Sequence, residues 1–268
     1  MRRILKSWIP PILLKLYKKM NIGGIRFRGR YYSWEDASKS VKGYGSKNIF
    51  EKVKASSLKV KNGESSCERD SVLFNTPQYS WPSLACLMYA AACKGKLSVL
   101  DFGGSLGSLY FLNRVFLNNL DVEWSIVEQR HFVEFGRDKI ADEALQFYFD
   151  LDDCYRKRRP NFLLLSSVIQ YLKDPYSWLE VFVNLEIDFI LLDKTTFSKR
   201  QDEFIQIQEV PKAIYRASYP MHVLSEDKIV DFIKISGFEL IESFTPEASL
   251  ETSDFYTKSF FFRRASNK

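Results

Sequence analysis

The stretch from Leu97 to Gly107 constrains this chain more than any other. Leu97, Val99, Leu100 and Phe102 read as a short buried strand, and Gly103-Gly104-Ser105-Leu106-Gly107 follows it directly. Glycine is needed where the backbone turns sharply after a strand and approaches a bound nucleotide without a Cβ in the way. The amides of the next helix then face the ligand. Beyond this loop the pattern alternates: helix 107–118, strand 123–128, helix 131–141, strand 145–149, strand 161–166, helix 175–184 and strand 187–193. Short apolar strands alternating with helices predict an α/β fold with a parallel sheet covered on both faces. The end of the chain changes style. Ser225 caps a helix over 225–236, Gly237 ends it, and strands 238–244 and 255–263 follow with a turn around Pro246. Two consecutive strands without a helix between them predict an antiparallel pair at the sheet edge.

The frame of the glycines narrows the ligand. A dinucleotide fingerprint starting at Gly103 requires glycine at 105 and 108, and both are serine. The loop is instead similar to that of class I S-adenosylmethionine-dependent methyltransferases, which carry an acid at the end of the first strand and then glycines at alternate positions. Asp101, Gly103 and Gly107 fall in that frame, and Ser105 is the departure. The resemblance implies a Rossmann-like class I methyltransferase fold and S-adenosyl-L-methionine as cofactor, held by Asp101, Gly103, Gly104, Ser105 and Gly107.

Further positions fit a nucleoside. Trp124-Ser125-Ile126-Val127-Glu128 reads as a second strand ending in an acid, whose carboxylate can accept from both ribose hydroxyls. After the third strand, Asp150 is a candidate for the adenine amino group with Leu151 beneath the ring; a solvated acidic turn is the plainer reading. The fourth strand ends at Ser166 and runs into SSVIQYLKDP, where many relatives of the fold place a histidine and this chain places Gln170. An amide donates and accepts hydrogen bonds but is no base, so Gln170 reads as a positioning residue. For a hydroxyl acceptor the candidate bases are His222, in an expected loop before the last helix, Asp193 at the expected end of the fifth strand, and less so His131. Each also has a structural reading: His222 as a packed histidine, Asp193 as half of an ion pair with Lys194.

The segments FRGRYYSWEDA, Gly43-Tyr44, LDFGGSLGS, SSVIQYLKDP and LLDKTTF occur in this order. Together they resemble a small family of methyltransferases associated with bacterial cell-surface polysaccharide loci, over roughly residues 27–260. The resemblance implies the fold and the cofactor and says little about the acceptor; the expectation drawn beside it is a methyltransferase acting on a sugar or glycan precursor, with a small-molecule or glycan acceptor, and the four cysteines read as reduced thiols in a cytoplasmic protein. The alternative is a catalytically inactive nucleotide-binding scaffold that docks through its basic N-terminus.

The rest of the chain bounds these readings. Residues 1–20 are basic and amphipathic, with Trp8, Ile9, Ile12, Leu13, Leu16 and Tyr17 among Lys and Arg. They read either as a segment at the inner face of an anionic membrane or as a helix packed on the main domain. Pro10, Pro11 and the lysines after Leu14 speak against a secretory signal. Residues 21–94 read as an irregular extension with one or two short helices, one over 34–41 after the cap Ser33, and a buried helix over 79–93 leading into the cofactor domain at 95–265. The net charge of +6 is scattered and no RNA-binding module is evident, so nucleic acid is disfavoured. Four cysteines without CxxC spacing and two histidines give no zinc pattern, so no metal is expected. The sequence names no oligomeric state.

Overall fold

The computed structural model describes residues 24–41, 47–69, 71–211, 214, 217–247 and 249–265. The amphipathic segment 1–20 and the pair Gly43-Tyr44 lie outside the described residues.

A seven-stranded sheet organises the molecule. Its strands are β4 (Leu97–Phe102), β5 (Val122–Val127), β6 (Leu145–Tyr148), β7 (Phe162–Ser166), β8 (Phe189–Ser198), β11 (Phe238–Phe244) and β12 (Phe255–Arg264). They lie in the order β11-β12-β8-β7-β4-β5-β6. The five strands β4 to β8 pair in parallel, and β12 runs antiparallel to both β8 and β11. This is the expected class I methyltransferase fold: a mostly parallel Rossmann-like sheet with an antiparallel C-terminal edge pair. Alternate residues of each central strand enter two different cores, Val99 and Leu164 on one face and Leu100 and Leu163 on the other. Because both faces are covered, the strands read as apolar runs rather than alternating ones.

Helices α3 (Trp81–Lys94), α4 (Ser108–Leu117), α5 (Arg130–Phe135), α6 (Leu151–Arg158), α7 (Pro175–Val183) and α8 (Glu226–Ile235) complete the layers. They follow two shorter-range elements of the extension, α1 (Trp34–Ser38) and α2 (Lys47–Lys61). α3 starts with Pro82 in its first turn and stops at Gly95, whose φ of 72° is left-handed. α8 is capped by Ser225, as expected. The expected helix 131–141 is instead α5 followed by a π-turn over Gly136–Ile140. A Cβ on Gly136 would sit 2.6 Å from the Phe147 ring, so glycine lets this turn lie directly on β6.

Other expectations are corrected. The acidic turn after β6 opens helix α6: Asp150 is its N-cap and accepts from the Asp153 amide at 2.7 Å. The fifth strand does not end at Asp193 but continues to Ser198, passing Lys194 at a φ of 51° with a register shift against β12. The region expected to be a loop around His222 is a strand. β9 (Phe204–Val210) and β10 (Ala217–Val223) form an antiparallel hairpin, and β1 (Arg26–Tyr31) adds to β9 as a third strand. The extension, expected to be irregular, also holds the 15-residue α2 and a small hairpin of β2 (Cys67–Arg69) and β3 (Val72–Phe74).

The hairpin and α2 together span the carboxyl ends of the central strands. β10 leaves the main sheet at a parallel bridge between Phe197 and Leu224. At the hairpin's far end, Lys52 of α2 donates to the Ile214 carbonyl. α2 then packs on α5, with Phe50 against His131 and Phe132 at ring separations of 4.6 and 4.9 Å, and Lys61 Nζ donates to the Lys139 carbonyl at 2.7 Å. In open α/β sheets this carboxyl edge is where ligands bind.

Candidate functional site

The first wall is the glycine loop after β4. Gly103 (φ 73°), Ser105 (φ 55°) and Gly107 (φ 89°) all lie in the left-handed region, where an L side chain is strained. Gly104 is required for another reason: a Cβ there would fall 2.4 Å from the Asp101 carboxylate. The loop curls directly over that carboxylate, which is 1% exposed and receives the Trp124 indole N–H at 3.1 Å. Burial pushes the Asp101 carboxyl up to about 7, against the indole hydrogen bond that favours its charged form. Asp101 therefore supports the loop from below. Gly107 is the N-cap of α4 and offers no side-chain cap, so first-turn amides of α4 remain for a ligand.

The second wall comes from β5 and β6. Glu128 directly follows β5, accepts from the Gln129 amide at 2.6 Å and from the backbone of Ser105, and its pKa is raised by burial. Glycine loop and acid thus close on each other. At the end of β6, Phe149 is 42% exposed and lies beneath two guanidinium groups, Arg130 at 5.2 Å and Arg137 at 4.4 Å. Leu151 is buried beside it, and the Asp150 carboxylate is committed to its helix cap.

The third wall is built at β7 and β8. Asp193, also 1% exposed, accepts from Ser166 Oγ and from Ser259 Oγ, each at 2.7 Å, with Lys194 Nζ at 3.6 Å from the same carboxylate. Burial, with the Asp193 charge nearby, pushes the Cys86 thiol of α3 up to about 12. Ser167 has a φ of 54° and its amide donates to the Asp193 carbonyl at 2.8 Å. Gln170 is 1% exposed; its Nε2 donates to the Lys194 carbonyl at 3.0 Å and to Ser167 Oγ at 3.3 Å, while its Oε1 is buried without a donor. Left-handed non-glycine backbone thus occurs at Ser105 after β4, at Ser167 after β7 and at Lys194 within neighbouring β8, as it does where a site is held in place by its surroundings.

The roof is the β9–β10 hairpin. Gln208 Oε1 accepts from the Tyr171 hydroxyl at 2.9 Å, and its Nε2 donates to Tyr219 OH at 3.1 Å. Tyr219 pairs with Gln208 and Met221 with Gln206, so Gln206 shares this face. Both glutamines are buried, and Gln206 Oε1 has no donor. His222 points from the opposite face of β10. Its ring stacks on Trp34 of α1 at 5.0 Å, and its Nε2 donates to the Lys173 carbonyl at 3.3 Å. Burial lowers its pKa below the ordinary imidazole value, so it is neutral at pH 7.

The structure therefore gathers Asp101, Gly103, Gly104, Ser105, Gly107 and Glu128 at one place, with Ser166 and Gln170 at and after the end of adjoining β7 and Asp193 beside Ser166 within β8. It sets Asp150 in a helix cap and turns His222 away from the amide-bearing face. Ser259, Tyr171, Gln206, Gln208 and Tyr219 were not anticipated. Polar residues at alternate positions 206 and 208 between apolar ones were the available signal. Among the described residues, no group of three or more His, Cys, Asp or Glu is placed to hold a metal ion, and no helix is long and apolar enough to cross a membrane.

Three comparisons with known proteins were made. No family model and no curated protein matches the chain. Among solved structures, the N-terminal domain of EvdMO1, determined in the presence of SAH and D-fucose, is 10% identical with a TM-score of 0.49, over 83% of this chain and 100% of that one. The glycopeptide N-methyltransferase MtfA complexed with S-adenosyl-L-methionine is 16% identical, TM-score 0.45, over 66% and 86%. The [4+2]-cyclase SpnF is 8% identical, TM-score 0.48, over 82% and 95%. At these identities and TM-scores, all under 0.5, none of them carries an argument about this chain. The class of the molecule, a Rossmann-like fold of the class I methyltransferase type, rests on the chain's own strand order.

Proposed function

We propose that this chain is an S-adenosylmethionine-dependent methyltransferase that O-methylates a sugar or glycan precursor in cell-surface polysaccharide biosynthesis, working in the cytoplasm. The observation that carries the reading is the closure of the glycine loop on Glu128 beneath a roof of uncharged amides and phenols. The residues suit the cofactor: at Gly103, Gly104 and Gly107 a Cβ would run into Val168, Asp101 and Leu145, so glycine lets the loop backbone lie close over the strand ends, the first turn of α4 has no side-chain cap on its amides, and Glu128 is an acceptor for ribose hydroxyls. Asp150, Leu151 and Ser166 complete the proposed set around the nucleoside. When bound, the cofactor supplies an electrophilic methyl group on sulfur.

In-line displacement asks the protein mainly for alignment and exclusion of water. In this reading the roof excludes water, Gln170 positions the acceptor, and Asp193 is a positioning residue that fixes Ser166 and, through the β8–β12 seam at Ser259, the bend at Lys194. His222 anchors the roof against Trp34 and Lys173. Residues 1–20 are proposed to bring the protein to the inner face of the membrane.

One observation favours the second reading, an inactive nucleotide-binding scaffold: Asp193 and His222, two of the three candidate bases, are both taken up by internal contacts. Calorimetric titration with S-adenosylmethionine, S-adenosylhomocysteine and NAD tests the cofactor. The expected result is binding of the first two and not of NAD; binding of none overturns the proposal. Transfer of a labelled methyl group to a hexose separates enzyme from scaffold.

A further inference from the structure

Two buried amide oxygens, one in the turn after β7 and one on the hairpin, have no donor. Gln170 Oε1 lies in the turn after β7, and Gln206 Oε1 on the roof strand β9. They belong to one seam. Tyr171, next to Gln170, hydrogen-bonds Gln208 and packs edge-on against Tyr219 at 5.3 Å, and the strand alternation puts Gln206 on that same face. Phe204 and Met221, the neighbours of Gln206 along and across the hairpin, pack against Tyr171 as well. An unsatisfied buried carbonyl is costly, and it is retained in a fold where something else supplies the donor.

The chemistry of the seam limits what that donor is. Its polar groups are two orphaned carbonyl oxygens, one amide already bonded at both ends and two tyrosines. Asp193, whose carbonyl accepts from the Ser167 amide in the same turn as Gln170, has its carboxylate filled by two serine hydroxyls. A cation would find no free counter-charge among these groups, and an anion would meet two carbonyl oxygens. Neutral hydroxyl groups satisfy both oxygens.

We infer that Gln206 and Gln170 are the acceptor-recognition pair, each accepting a hydrogen bond from a hydroxyl of a neutral, polyhydroxylated ring. This rests on the methyltransferase reading above and adds to it the residues that select the acceptor. Such sites discriminate strongly, because an acceptor lacking the hydroxyl leaves the buried oxygen unpaired.

The test compares wild type with Gln206→Met, which keeps the length of the side chain and removes the carbonyl. Three quantities are read: thermal midpoint without ligand, calorimetric affinity for S-adenosylhomocysteine, and tritium transfer from labelled S-adenosylmethionine to free, methyl-glycosidic and nucleotide-linked hexoses. The expected result is an unchanged or higher midpoint, cofactor affinity within twofold, and a tenfold or greater rise in KM for the best hexose with kcat little changed. Gln170→Met, which also gives up two donated bonds, should raise KM and lower the midpoint. A midpoint several degrees lower in Gln206→Met would mean that a structural water satisfies the oxygen, and overturns the inference. So does an unchanged KM. If wild type binds S-adenosylhomocysteine but methylates no hexose, the acceptor class falls and the cofactor reading stands; if it binds no S-adenosylhomocysteine, both fall.

Discussion

The two halves of the site are made by different means. The cofactor half, from the glycine loop to Glu128, is shaped by backbone: three left-handed residues and a glycine held against a carboxylate leave little freedom to the sequence. The roof is shaped by side chains on strands that come from two distant parts of the chain, with β1 contributed by the extension and β9–β10 inserted after the fifth strand of the main sheet. Where backbone geometry makes the site, the residue type is dictated locally. Where side chains on a sheet make it, the same residue type has a meaning only once its partner strand is known.

That contrast can be attacked at its foundation. Asp101 is buried under the loop with its pKa raised to about 7 from an ordinary carboxylate value of 3.8. A raised folded-state pKa contributes stability that is fully present below about pH 4 and is lost as pH rises to about 7. Relative to Asp101→Asn, wild type should lose on the order of 4 kcal/mol across that window. Urea unfolding at pH 4 and pH 8 checks this, and parallel pH profiles for the two proteins would show that the carboxylate is not the buried support of the loop.

Next in size is Gly104→Val. Its Cβ would meet the Asp101 carboxylate at 2.4 Å, so the loop must move. S-adenosylhomocysteine affinity should fall by two orders of magnitude or more, with about 1–3 kcal/mol lost in stability. Retained affinity in a calorimetric titration would mean that side chains rather than the backbone cradle make the cofactor half, and the contrast with the roof would disappear.

The smallest effect is expected in the roof. His222→Phe keeps the ring against Trp34 and loses the bond to the Lys173 carbonyl, for about 0.5–1.5 kcal/mol in stability. Methyl-transfer rates should stay within about threefold from pH 6 to 8. A rate loss of two orders of magnitude would return His222 to the role of base.

The same contrast explains what the sequence made legible. The central strands announced themselves because burial on both faces turns them into apolar runs, and the loop announced itself because few residues tolerate its φ angles. Phe204-Ile205-Gln206-Ile207-Gln208 did not read as a strand of the site: it is buried on both faces, yet two of its inward residues are polar. His222 looked available because a lone histidine gives no sign of which face of a strand it takes. Lys194 hid the continuation of β8, since a charged residue with left-handed backbone looks like an ending. α2 was obscured by its lysines, of which Lys52 and Lys59 are exposed on a helix whose Ile49, Val53 and Val60 are buried.

The pairing of β1 with β9 has a consequence in time. Arg28 and Glu209, joined by a hydrogen-bonded ion pair of 2.5 Å, are 181 residues apart in the chain. At about 5–20 residues per second of synthesis, β1 leaves the ribosome on the order of 10 to 40 s before its partner strand. Through that interval its pairing edge and Phe27 have no native neighbour on β9. The glycine loop and the strand leading to Glu128, close together in sequence, are made long before the roof can shut over them.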